Sequence, residues 1–307
     1  MHDGKWIDDL TAQTPLDEAA RLVLSARLGV VGRCLPPALR EAKADIEHVH
    51  QLRVATRRAR AALDIFEDCL SAPAYKAAKK QLRRIRRAAG AARDWDVFLA
   101  ALTGTKRRWP PRAAPGRDLL AGYALAQRGA AQERLEDLGD DYPDRFEVLQ
   151  TEVLAGLSPR RAQPSLLQLA QTLMADLVQR LEQTLAGDLE NYARLHQARI
   201  EGKRLRYAME IFVACFPPAF RERLYPAVEQ MQEILGNAND SHVALGHLQD
   251  VRALMEYLPA GAAKRWRTGV EAWQQFHEQR LQTQRRQFAR WQAKWRKLDG
   301  IAAFLES

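Results

Sequence analysis

His50, Arg53, Arg57, Arg58 and Arg60 lie in one stretch, HQLRVATRRAR, and His196, Arg199, Lys203, Arg204 and Arg206 repeat them in HQARIEGKRLR, 146 positions later. On a helix turning about 100° per residue, His50, Arg53, Arg57 and Arg60 fall inside an arc of about 80°, with Arg58 at the edge of the strip. The second copy repeats this geometry. Side chains of these types bind anions. The planar guanidinium fork holds two phosphate oxygens at once, and lysine offers a compact point charge. Histidine adds a donor whose charge depends on pH, and beside anionic oxygens its pKa should rise from about 6.5. Four cations spread over about 15 Å of one helix face repel one another. Glu201 is the only acid inside either stretch, so relief must come from an anionic ligand or from carboxylates on other helices. A ligand site predicts an acid-poor groove, whereas salt bridges between the two halves predict a carboxylate facing each arginine.

Aromatic side chains are missing between His48 and Leu63, and only Tyr207 enters the second copy. Binders of single-stranded nucleic acid interleave rings on which bases stack, and no helix-turn-helix, zinc-finger or ribonucleoprotein pattern is present. The strip therefore suits bare phosphates, and a linear phosphate polymer fits best. Nucleic acid, RNA above all, is the first rival, supported by the chain's basic balance and a last helix rich in Trp and Arg. A metal-dependent phosphohydrolase is the second, yet no Walker loop, nucleophile elbow or paired carboxylates accompany the strip. His50 and His196 have no His, Cys or carboxylate at i+3 or i+4 to complete a metal site. A binder is expected, with no catalytic residue, metal or cofactor.

Further cations share a face at Lys76, Lys80, Arg83 and Arg87, with Lys79, Arg84 and Arg86 nearby, while the second copy has Glu222, Glu229 and Glu233 at matching positions. This is either an extension of the ligand track in the first half or an ordinary solvated face. Asp94 and Asp240 follow the repeated Gly90 and Gly236. They read either as carboxylates at a helix start or as groups that orient a cation of the strip.

Helices must hold these residues. Ala, Leu, Arg, Gln and Glu dominate, and strand-like alternation does not persist. Breakers place helices at 15–35, 44–70 and 75–89, the last ending at Gly90, with a shorter one after Asp94. Others follow at 117–138, after Pro143, and at 165–185, 190–216, 218–235, 240–257 and 262–298. Loops are expected at 104–116 and at a hinge, 156–165. Trp266, Trp273, Phe276, Phe288, Trp291 and Trp295 recur mostly every three, four or seven residues, which predicts core packing rather than a stacking platform.

The chain has 307 residues, enough for one large domain or two of about 150. Its 47 Lys and Arg against 38 Asp and Glu give a net charge of +9, which favours an acidic partner. Cys34, Cys69 and Cys215 have no CxxC spacing, and their odd number suits a reducing compartment; Cys69 and Cys215 are expected to pack, with no redox role. The start, MHDGKWIDDL, lacks an apolar signal region, and no run of 18 apolar residues occurs. A cytoplasmic protein with no membrane contact is expected. Aligning 50–102 with 196–248 needs no gap and gives 15 identities, where composition alone would give about four. Two similar helical bundles related by a pseudo-two-fold axis, 1–157 and 163–307, should together form one domain.

The segments HQLRVATRRARAALDIF, AGAARDWDVFLAAL, HQARIEGKRLRYAMEIF and EILGNANDSHVALGHL resemble the paired signatures of the conserved histidine α-helical domain (CHAD) family, over about 16–304. The resemblance implies an all-α fold of two pseudo-two-fold-related four-helix bundles. It also implies binding of inorganic polyphosphate in a basic central pore and location on polyphosphate granules. Carried over by position, the ligand-facing residues would be His50, Arg53, Arg57, Arg58, Arg60, His196, Arg199, Lys203, Arg204 and Arg206. Asn239-Asp240 stands where the first copy has Arg93-Asp94, so Arg93 is not part of the shared plan.

Overall fold

Segments rich in Ala and Leu, with apolar residues at three- and four-residue spacing, fold as long helices that bury one stripe each. The computed structural model describes residues 5–7, 9–104, 109–157, 165–187 and 191–298. Among them, α1 (Leu16–Arg40), α2 (Glu47–Ile65), α3 (Ala72–Thr103), α4 (Ala114–Glu136) and α5 (Tyr142–Ala155) make the first half. The second half holds α6 (Leu166–Leu185), α7 (Tyr192–Phe212), α8 (Tyr225–Met255) and α9 (Ala260–Trp295). The fold is all-α, as expected.

Within each half, consecutive helices pack on one another: α1 on α2, α2 on α3 and α3 on α4, then α6 on α7, α7 on α8 and α8 on α9. Helix α5 is an addition to the first half and packs on α1 and α3. Across the halves α2 meets α7, α3 meets α8 and α4 meets α9, so these three helices touch their own counterparts, as a two-fold relation demands. Pro15 and Ser165, which cap α1 and α6, also bridge to each other.

Two expected breaks are absent. Helices α3 and α8 run through Gly90 and Gly236, and among the described residues only Gly139 has positive φ. A glycine inside a helix costs only about 1 kcal/mol relative to Ala, and packing on neighbouring helices outweighs that. At Gly90 the Arg53 guanidinium lies against the helix and donates to the Gly90 carbonyl. Asp94 and Asp240 are therefore mid-helix residues, and the helix-start reading falls. The expected loop at 104–116 is described except for 105–108, and of the hinge 156–165 the segment 158–164 lies outside the described residues.

Trp273, Phe288, Trp291 and Trp295 are buried, with Trp266 and Phe276 packed at the edge of the core, so the aromatic stripe of α9 is packing. Cys69 and Cys215 are buried in the core as thiols. Helix α1 is long and apolar enough, by length and composition, to cross a membrane, but Leu24, Leu28, Val31 and Leu35 on it are fully buried in the core.

The α4/α9 crossing is the tightest point. A Cβ built on Gly116 would lie 2.6 Å from the Gly269 Cα, and one on Gly269 equally close to Gly116. Either glycine changed to Ala should therefore cost about 1–3 kcal/mol in urea unfolding. On the exposed part of α4, nothing lies within 4 Å of a Cβ at Gly129, and Gly129→Ala should add about 0.5–1 kcal/mol.

Candidate functional site

Helix α2 buries Leu52, Ala55, Ala59 and Leu63, and α7 buries Leu195, Ala198, Leu205 and Ala208. The packing turns the basic faces of the two helices toward each other. Arg199 repels Arg53; Arg57 repels Arg199, Lys203 and Arg206; Lys203 is also repelled by Arg53. Two-fold-related members therefore meet: Arg53 with Arg199, and Arg57 with Lys203. Burial, then the neighbouring cations, lowers the pKa of Arg57, while for Arg53 and Arg199 a nearby carboxylate offsets part of the burial effect. Lys203 is the extreme case. Burial first, then Arg199, Arg57, Arg206 and Arg53, push its pKa down to about 6.

Carboxylates serve only part of the cluster. Asp94 Oδ1 lies 3.2 Å from Arg53 Nη1, so Asp94 orients a cation of the strip. Its counterpart Asp240 lies beside Arg199, and burial pushes that carboxyl up although Arg199 and Arg280 oppose the shift. Arg60 stands 3.6 Å from Asp64, and Arg206 stands 3.7 Å from Glu210, at the equivalent position. Among the described residues Arg57, Arg199 and Lys203 have no ion pair, and the buried Nε of both Arg57 and Arg199 has no hydrogen-bond partner. Ion pairs within each half hold the margins of the cluster and leave Arg57 and Lys203 at its centre without one.

Arg58 is a correction. It is buried, and its Nε donates to Glu210 Oε2 at 2.8 Å, with Nη2 3.4 Å from Oε1. Glu210 is 0% exposed, accepts from Tyr225 Oη at 3.0 Å and lies 3.8 Å from Arg27 of α1. Arg58 thus ties α2 to α7 and is part of the scaffold. Its counterpart Arg204 is exposed and paired with Glu201 at 3.0 Å. Both arginines lie at the edge of the helical arc, where a rotation of one side chain decides what it meets. Glu210, Arg27 and Tyr225 escaped sequence reasoning, although Glu210 aligns with Asp64 as an acid in both copies.

The histidines flank the cluster. Burial, then Arg93, keeps the His50 pKa below its ordinary value; burial, then Arg199 and Lys203, does the same for His196. Arg93 thus lies by the site in the first half, while in the second half Asn239 hydrogen-bonds His196 and Tyr192 stacks on His242 at 3.5 Å. Lys76, Lys80, Arg83 and Arg87 are all exposed on α3. Arg86 links them to the strip, since its pKa is lowered by burial and then by Arg60, Arg83, Arg87 and Arg57. In the second half Glu229 pairs with Lys5 at 3.1 Å, so this basic surface is one-sided.

The model of the CHAD domain family matches residues 23–249, which include both strips. The crystal structure of the CHAD domain from the plant Ricinus communis is similar, with a TM-score of 0.68 and 25% identity, over 92% of this chain and 95% of that one. PptA from Streptomyces chartreusis is similar with a TM-score of 0.69 and 18% identity, over 91% of this chain and all of that one (100%). No curated protein matches the chain.

Lys203 gives the site a pH signature. Its folded pKa near 6 lies below the value of about 10.4 for an unfolded lysine, so the unfolded chain binds more protons between those values. The penalty for holding this charge is full below pH 6 and fades as pH rises toward 10. Lys203→Met should therefore raise Tm most at pH 6 and below, with a gain that shrinks toward pH 10 in thermal melts.

Proposed function

Because the chain belongs to the CHAD domain family, we propose that it binds inorganic polyphosphate, without catalysing a reaction, between the facing strips of α2 and α7. The observation that carries this reading is the under-compensated centre of the cluster, where Arg57 and Lys203 have no carboxylate partner among the described residues and Arg199 has Asp240 nearby but no ion pair. A row of phosphates supplies the counter-anion. Arg53, Arg57, Arg60, Arg199 and Arg206 offer donors to its oxygens, and Lys203 takes up a proton as the negative charge arrives. His50 and His196 gain charge for the same reason. Arg58 and Arg204 are left out of the contact set, since Glu210 and Glu201 already hold them. On this reading the protein belongs in the cytoplasm, on polyphosphate granules.

Many contacts to one polyanion release many counterions, so affinity should fall steeply with salt. Two strips acting on one chain also raise its effective concentration at the second strip. Calorimetric titration with defined lengths should find long chains far tighter than triphosphate, and Arg53→Glu with Arg199→Glu should weaken long-chain binding by more than tenfold. Equal affinity for short and long chains, or RNA displacing polyphosphate at matched salt, would sink the reading. So would shortening of the polymer by the pure protein with Mg²⁺ or Mn²⁺.

The α3 face extends the track on one side. Replacing Lys76, Lys80, Arg83 and Arg87 together by Gln should lower affinity for long chains while triphosphate binding stays unchanged. Equal loss for both lengths would mean a general field rather than a track.

A further inference from the structure

The two strips match in cation type at every position but one, where Arg57 faces Lys203. An arginine keeps its proton at any physiological pH, whereas a buried lysine sheds it readily and becomes a nucleophile. Lys203 is half-buried among cations. Its amine has no hydrogen bond or ion pair among the described residues. The charged and titratable groups around it are His196, Arg199 and Arg206 on its own helix and Arg53 and Arg57 on α2. The nearby carboxylates face other partners: Asp94 pairs with Arg53, Asp240 of α8 lies beside Arg199, and Glu210 holds Arg58. Lys203 is partly exposed, so small solutes reach it.

We propose that Lys203 is a covalent acylation site for acyl phosphates, whose phosphate is held by the surrounding arginines. The amine lone pair attacks the acyl carbon and a C–N bond forms. The bond from that carbon to the phosphate oxygen breaks, its electron pair leaves with inorganic phosphate, and the amine proton passes to the departing phosphate. No oxidant or reductant is required. Arg53, Arg57 and Arg199 stabilise the charge that gathers on the leaving group, the kind of preorganised field that lowers such barriers. In the ligand-free cluster, with a pKa near 6, the amine is mostly neutral at pH 7. One small acyl phosphate brings far less negative charge than a polymer, so more of the amine stays neutral than of an exposed lysine, whose neutral fraction is below about one in a thousand. The product is an uncharged amide that removes one cation from the centre of the cluster and fills part of it. Acylation thereby weakens the hold on any polyanion. It needs only a cluster that accepts one small phosphate, so it can stand or fall separately from the polymer reading.

The experiment treats the full chain with acetyl phosphate and maps modified lysines by mass spectrometry over time and pH. Lys203 should be acetylated at least tenfold faster at pH 7 than the exposed Lys43 and Lys264. Its rate should level off above about pH 7 while theirs climb toward pH 10. Triphosphate should protect it, and Arg57→Gln, with folding checked by its thermal melt, should slow it without changing Lys43. Acetylation of Lys203 no faster than of Lys43 would overturn the proposal. Selectivity for Lys203 with uncharged acetic anhydride but not with acetyl phosphate would overturn it equally, since the phosphate would then play no part.

Discussion

Two helices with rows of like charge stay packed together only if an opposite charge, or enough apolar burial, holds them. In this molecule Glu210 is that charge. It sits fully buried on α7, takes hydrogen bonds from Arg58 of α2 and Tyr225 of α8, and lies within 4 Å of Arg27 of α1. One carboxylate thus joins four helices beneath the basic cluster. A buried pair of this kind adds little net stability over an apolar replacement, but removing one partner leaves a buried charge uncompensated, at a cost of about 3–5 kcal/mol. Its role is positional. With the strips clamped at Glu210, the repulsion among Arg53, Arg57, Arg199 and Lys203 cannot relax by moving the helices apart.

The duplication explains the site, and its departures from symmetry explain the asymmetry of that site. Asp64 and Glu210 occupy equivalent positions, yet Asp64 is 43% exposed and meets Arg60 and Lys79, whereas Glu210 is buried. Arg58 crosses to the opposite half, while Arg204 turns to Glu201 on its own helix. Basic α3 lies opposite α8, which carries Glu229 and Glu233. The halves share a plan for the centre and diverge around it.

Much of this was legible in the sequence because it is local. Helical periodicity, the basic arc and the gapless repeat depend on spacing alone, and the helices lie near where the sequence put them, apart from the two breaks that α3 and α8 run through. Gly90 and Gly236 misled, since a glycine ends a helix or sits inside one according to what packs there, and at Gly90 that partner is the Arg53 side chain from another helix. Asp94 inherited the same error. Arg58 shows the limit of a helical wheel: it gives a direction but not the residue waiting there, and Glu210 lies 152 positions away. The aromatic pattern of α9 was readable because a stripe at core spacing has few other uses.

The pairing of α2, α3 and α4 with their counterparts α7, α8 and α9 bears on which polymers suit the centre. A nucleic-acid strand has a 5′ and a 3′ end, so two sites related by a half-turn would read it in opposite senses. A linear polyphosphate chain has identical ends and no sense of direction, so two strips related by a half-turn would meet the same sequence of oxygens whichever end entered first.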